Sequence, residues 1–135
     1  MKQEELTALI VIKIENLGID YRTFEYDNQR AWIDTRLCIG GYNPNTATPF
    51  DHAHEYMHAY YKDDRRLGEC DTLSPAEKRA NKEAILMLWD WFIQNGGSFD
   101  DITQFCEITG CQYEATQRLI KSMCCDRSNK SFREC

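Results

Sequence analysis

All three histidines of this 135-residue chain fall in TPFDHAHEYMHAYY, residues 48–61. Within that stretch His54, Glu55 and His58 form the pattern HExxH. Histidines four apart lie about one turn apart on the same face of a helix, so both can aim a ring nitrogen at one ion. Glu55 lies about 100° round the helix, too far to serve as an equal ligand but close enough to reach a water molecule beside them. The chemistry that needs this pattern is zinc-assisted hydrolysis, in which imidazoles hold Zn2+ and the glutamate acts as general base. His52 lies about 160° from His54 and reads as a solvated or capping residue outside the ligand set. The competing reading is a solvated helix with three titratable side chains and no metal.

A hydrolytic zinc site takes three protein ligands and leaves a fourth position open. The helix starting after Ser74 offers Glu77 as the third. At 100° per residue, Ala80, Ala84, Met87, Leu88 and Trp91 fall within about 80° of Glu77, and Lys78, Arg79, Lys82, Glu83 and Asp90 fall on the other side. Glu77 and Asn81 are thus the polar members of the core-facing stripe. A carboxylate facing a core is costly unless it is paired or binds a metal. The side-chain carbonyl of Asn81, one turn on, is placed to accept the free N–H of a zinc-bound histidine and fix its tautomer. Glu83 is the rival ligand, but its direction pairs it with Arg79 on the solvent side. The metal-free alternative for Glu77 is a capping box with Ser74.

The elements that must position these groups can be read from local signals. Leu6, Leu9, Ile10, Ile14 and Leu17 recur at helical spacing over residues 3–17, and Gly18 is placed to end that helix. IDYRTFEYDNQRAWIDTRLCIGG reads as a short antiparallel hairpin or meander about the turn YDNQR. Asn, Pro and Thr mark residues 42–49 as a loop. Thr48, Pro49 and Asp51 open the histidine helix with a capping box, and it is expected to run to about Lys62. After the polar connection KDDRRLGECDTL, Ser74, Pro75 and Glu77 open a second helix, expected to reach Gln94 before NGG. Ser98 with Asp101 opens a third, broken near Gly110, and a last helix covers about 112–124. The expectation is one α+β domain over residues 1–125: a small antiparallel sheet, an N-terminal helix, the two ligand-bearing helices and a C-terminal helical pair. Residues 126–135 read as a polar tail.

Composition narrows the function. A formal charge of −6 argues against broad contact with nucleic-acid phosphates. The longest apolar run, LTALIVI, is interrupted by Lys13 and Glu15 and is neither a membrane span nor a signal peptide. Seven cysteines without a secretion signal read as reduced thiols of a cytoplasmic protein. The C-terminal cysteines contain no CxxC pair, so a second zinc site is not expected there.

HEYMH followed by EKRANKEAILML resembles the ImmA/IrrE group of zinc metallopeptidases. Their second motif has the form E-x-x-A-N-x-x-A-x-x-L-L, and this chain reads Glu77, Ala80, Asn81, Ala84, Met87 and Leu88. A more distant resemblance is to gluzincins, where Asp occupies the place of Asn81. The chain departs from the family in carrying Glu83 where a large aromatic is usual, in extending the helix through WDWF, and in placing Tyr56 and Met57 inside the first motif. The resemblance spans roughly residues 1–125. It implies a cytoplasmic endopeptidase of a bacterium, phage or mobile element, with Zn2+ on His54, His58 and Glu77 and with Glu55 as base. It also implies a protein partner, a helix-turn-helix transcriptional repressor that is cleaved or bound.

On this reading Tyr21, Tyr26, Tyr60 or Tyr61 stabilises the oxyanion. Substrate lies extended along the strand near AWIDTRLCI. One alternative is a non-catalytic antirepressor on the same scaffold. Another is a DNA-binding helix-turn-helix over residues 99–123, whose second helix offers only Arg118 and Lys121 as basic groups.

Overall fold

The computed structural model describes residues 3–25, 29–63 and 74–131, with side chains described as far as Met123. Helix α1, Gln3–Asn16, is built on Leu6, Ile10 and Ile14, which share one face at four-residue intervals and are all buried. Leu9 and Leu17 do not join that stripe; both are more than 40 % exposed. Leu9 points about 100° away from Ile10, and Leu17 lies past the last helical residue. Gly18 adopts φ +89° and turns the chain into the sheet.

The three strands are β1 (Asp20–Thr23), β2 (Ala31–Asp34) and β3 (Ile39–Tyr42), in the order β1-β3-β2. The expected antiparallel sheet is therefore corrected to a mixed one: β2 and β3 are antiparallel, but β1 runs parallel to β3. Of the expected turn YDNQR, residues 26–28 lie outside the described residues. The tight turn joins β2 to β3 instead, where the Asp34 carboxylate accepts from the backbone N–H groups of Arg36 (3.0 Å) and Leu37 (3.2 Å). Two glycines explain why β3 takes the centre. A Cβ on Gly40 would lie 2.7 Å from the Trp32 carbonyl oxygen and 3.0 Å from the Tyr21 ring, and one on Gly41 would lie 2.7 Å from the Phe24 ring. Side chains from both neighbouring strands thus close over a strip of bare backbone.

Helix α2, Pro49–Tyr60, starts as the sequence predicts. Thr48 Oγ1 accepts from Asp51 N at 3.1 Å, and Thr48 N donates to Asp51 Oδ2 at 2.9 Å. Helix α3, Pro75–Gln94, packs directly on α2 through its first half, where Ala80 and Ala84 are fully buried. In its second half the buried side chains are Ile85, Leu88, Trp89 and Phe92, whereas Met87 and Trp91, expected in the stripe, are only half-buried. The shift follows Phe105, whose ring lies 5.0 Å from Trp89 and 5.3 Å from Phe92.

The expected third helix begins as a single 3-10 turn at Phe99–Asp101 before α4, Ile102–Thr109; α5 is Tyr113–Ser131. Helix α5 therefore continues beyond the expected end at Cys124 and into the segment read as a tail. The polar connection at 64–73 and residues 132–135 lie outside the described residues. Among the described residues, five α-helices and a three-stranded sheet make the fold α+β. No described helix is long and apolar enough to cross a membrane.

Replacing Gly40 by Ala forces the Trp32 carbonyl or the Tyr21 ring to move. The expected loss is about 1–3 kcal/mol of unfolding free energy, seen as a lower urea midpoint at unchanged slope. A midpoint at or above that of the parent protein contradicts this packing.

Candidate metal centre

The α2–α3 contact brings His54 and His58 against the first turn of α3, which carries Glu77. His54 Nε2 lies 3.0 Å from Glu77 Oε1, His58 Nε2 lies 2.9 Å from Glu77 Oε2, and the two Nε2 atoms are 3.1 Å apart. The imidazole planes meet at 82°, so each nitrogen faces the same point from a different direction. Among the described residues His54, His58 and Glu77 are the group able to hold a metal ion. The three side chains are largely buried: those of His58 and Glu77 are 1 % and 7 % exposed, and His54, at 14 %, is the most open to solvent.

The capping alternative for Glu77 is resolved by its two ends. Its backbone N–H is capped by Ser74 Oγ at 3.1 Å, while its carboxylate faces the histidines. Cap and candidate ligand coexist in one residue because the cap uses the main chain and the metal site the side chain.

The tautomer-fixing partner is not Asn81. His58 Nδ1 lies 2.8 Å from Asp63 Oδ2, whereas Asn81 is half-buried and makes no hydrogen bond to either histidine among the described residues. Asp63 is itself paired with Arg79, whose guanidinium also stacks over the Tyr61 ring at 4.3 Å. Arg79 therefore turns toward the site, and the expected pair with Glu83 does not form. Burial alone would raise the Asp63 carboxyl, but hydrogen bonds from Arg79 and His58 outweigh it and hold its pKa below the ordinary aspartate value. Asp63 stays a carboxylate, so His58 Nδ1 carries the ring proton.

That proton assignment gives the fit test for a metal. An imidazole that donates from Nδ1 and carries no second proton would present a lone pair at Nε2. This lone pair faces a carboxylate oxygen at 2.9 Å and a second imidazole nitrogen at 3.1 Å. Extra protons on both Nε2 atoms would satisfy Glu77 but set two N–H donors against each other. A single cation at their common point would engage all three groups. Tetrahedral zinc with ligand bonds of about 2.0–2.1 Å needs ligand atoms about 3.3 Å apart, close to the separations found here. The donor set fits.

Glu55 is also buried, 6 % exposed, on the same helix. Its charge reaches Tyr21: burial first, then Glu55, Tyr42 and Asp51, push the Tyr21 phenol far above its usual range. His52 corrects the sequence reading. It is 1 % exposed and lies 2.8 Å from the Tyr21 hydroxyl, with the Tyr42 ring packed edge-on at 4.8 Å. The side of α2 that carries His52 is not solvated, because Tyr21 and Tyr42 of the sheet cover it. Burial lowers the His52 pKa to about 4, so it is a neutral pin between α2 and β1. Of the proposed oxyanion donors, Tyr21 is committed to His52, Tyr60 and Tyr61 are exposed, and Tyr26 lies outside the described residues. Cys38, Cys106 and Cys111 are free thiols, and Cys111 is pushed up to about 12 by burial.

No protein-family model matches this chain, and no curated protein or solved structure matches it either.

Replacing Tyr21 by Phe strands a buried imidazole nitrogen. The expected cost is about 1–3 kcal/mol in urea unfolding, with zinc affinity unchanged. Loss of zinc affinity in that variant contradicts the separation of His52 from the ligand set.

Proposed function

We propose that this protein is a zinc metallopeptidase of the ImmA/IrrE type, a cytoplasmic endopeptidase acting on a protein partner. The observation that carries the reading is the convergence of His54 Nε2, His58 Nε2 and the Glu77 carboxylate within 3.1 Å of one another where α2 packs on α3. These three residues would hold Zn2+. When bound, the metal supplies a Lewis acid that polarises a carbonyl and lowers the pKa of water toward 7.

The rest of the reaction belongs to the chain. Glu55, beside the first ligand on α2, takes the proton of the attacking water and returns it to the amine that leaves. Glu77 would add a carboxylate to the two imidazoles and offset part of the charge of a bound cation. Substrate approaches on the His54 side, where the Phe50 ring lies 5.9 Å from the imidazole. Strand β2 is at the edge of the sheet and packs on α2, so an extended substrate segment pairs with it by strand addition.

The partner suggested by the resemblance is a helix-turn-helix transcriptional repressor of a phage or mobile element. A chain of charge −6 suits that division of labour, because the DNA-binding surface belongs to the partner.

Glu55→Gln is expected to keep wild-type zinc content and to slow cleavage of a co-produced repressor, or of a mixed peptide library, by a factor of about 10² or more. Mass spectrometry of the products reads the rate. Wild-type cleavage by that variant removes Glu55 as the base, and no cleavage by the parent protein removes the peptidase assignment.

A further inference from the structure

We infer that Asp63 is a positioning residue for the metal centre, locked in place from three sides so that it dictates the tautomer and direction of the His58 ring. The inference rests on the metal-binding reading of His54, His58 and Glu77 and adds a residue that the HExxH pattern does not contain.

The first constraint is the end of α2. Lys62 adopts φ +56°, a left-handed conformation that a side-chain-bearing residue enters reluctantly. Its N–H donates to Ala59 O at 3.1 Å, and the Asp63 N–H donates to His58 O at 2.9 Å. These two bonds define a Schellman turn, usually built on glycine at the place Lys62 holds. The turn folds the chain back so that Asp63 stands over the residue five positions earlier, which is His58 itself. Strained backbone persists where its surroundings over-determine it.

The second constraint comes from the sheet. Thr35, in the turn between β2 and β3, donates its hydroxyl to the Asp63 carbonyl at 2.7 Å. The third comes from α3, where Arg79, two residues after Glu77, pairs with the Asp63 oxygen that His58 does not use. The hairpin, the end of α2 and the start of α3 therefore converge on one residue: the first two hold its main chain and the third its carboxylate. Asp63 can accept from Nδ1 of His58 in only one ring orientation, and that orientation sends Nε2 toward Glu77 and His54. A carboxylate on the far nitrogen also makes the imidazole a stronger donor to a cation.

The test uses the full chain stripped of metal. Zinc affinity is measured by competition with a chromophoric chelator, and the ligand field is read from the visible absorption of the cobalt(II) form. Asp63→Ala is expected to weaken zinc binding about 10- to 100-fold and to shift the cobalt bands, and Asp63→Asn, which keeps an acceptor but not the charge, to lose about 10-fold. Arg79→Ala is expected to fall in the same range, since it frees the carboxylate to turn away. If Asp63→Ala does not fold, Asp63→Asn decides. Wild-type affinity together with a wild-type cobalt spectrum in Asp63→Asn and Arg79→Ala overturns the inference and leaves the metal centre standing. A parent protein that binds neither ion overturns both.

Discussion

Two imidazoles and a carboxylate, those of His54, His58 and Glu77, meet within hydrogen-bonding distance in a largely buried space between two helices. The lone pair of one imidazole faces both a carboxylate and a second imidazole, and the desolvation of a carboxylate alone costs several kcal/mol. Helix α2 supplies two of the groups and α3 the third, so the repulsion acts across the α2–α3 contact. A cation shared among them would turn that cost into binding energy. Folding and metal binding would then be linked, because whatever binds the folded chain alone stabilises it.

The remaining architecture makes sense as support for that convergence. Ala80 and Ala84 line the near half of α3 with side chains small enough to let the two helices approach. The aromatic cluster of Trp89, Phe92 and Phe105 anchors the far half, fixing the angle at which Glu77 arrives. On the opposite side of α2, His52 joins the hydroxyl of Tyr21, which ties the histidine helix to the sheet. Helix α2 is consequently covered on two sides, and its buried set includes His52, Glu55 and His58 alongside Ala53, Met57 and Ala59. A short, polar helix can be buried this way only if its polar groups find partners or a metal.

What was legible in the sequence was what depends on local chemistry. The caps at Thr48 and Ser74, the spacing of His54 and His58, and the inward direction of Glu77 each follow from a few neighbouring residues and helical geometry. Asp63 was not legible, because it lies beyond the end of α2 and reaches His58 through a left-handed turn that Lys62 gives no reason to expect. Arg79 was misdirected for a related reason: helical periodicity pairs it with Glu83, but a tertiary partner outcompeted that exposed pair. The burial of His52 and the parallel pairing of β1 with β3 depend on how the sheet closes over Gly40 and Gly41, which no local pattern encodes. The tautomer assignment to Asn81 failed on the same ground, since a better acceptor arrives from outside the helix.

The central claim is that His54, His58 and Glu77 together bind one divalent ion. Calorimetric titration of the metal-stripped chain with zinc, the parent protein beside His54→Ala, tests it most directly. The account predicts one equivalent bound to the parent and at least a hundredfold weaker binding in the variant. Equal binding by the two proteins, or none by the parent, contradicts it.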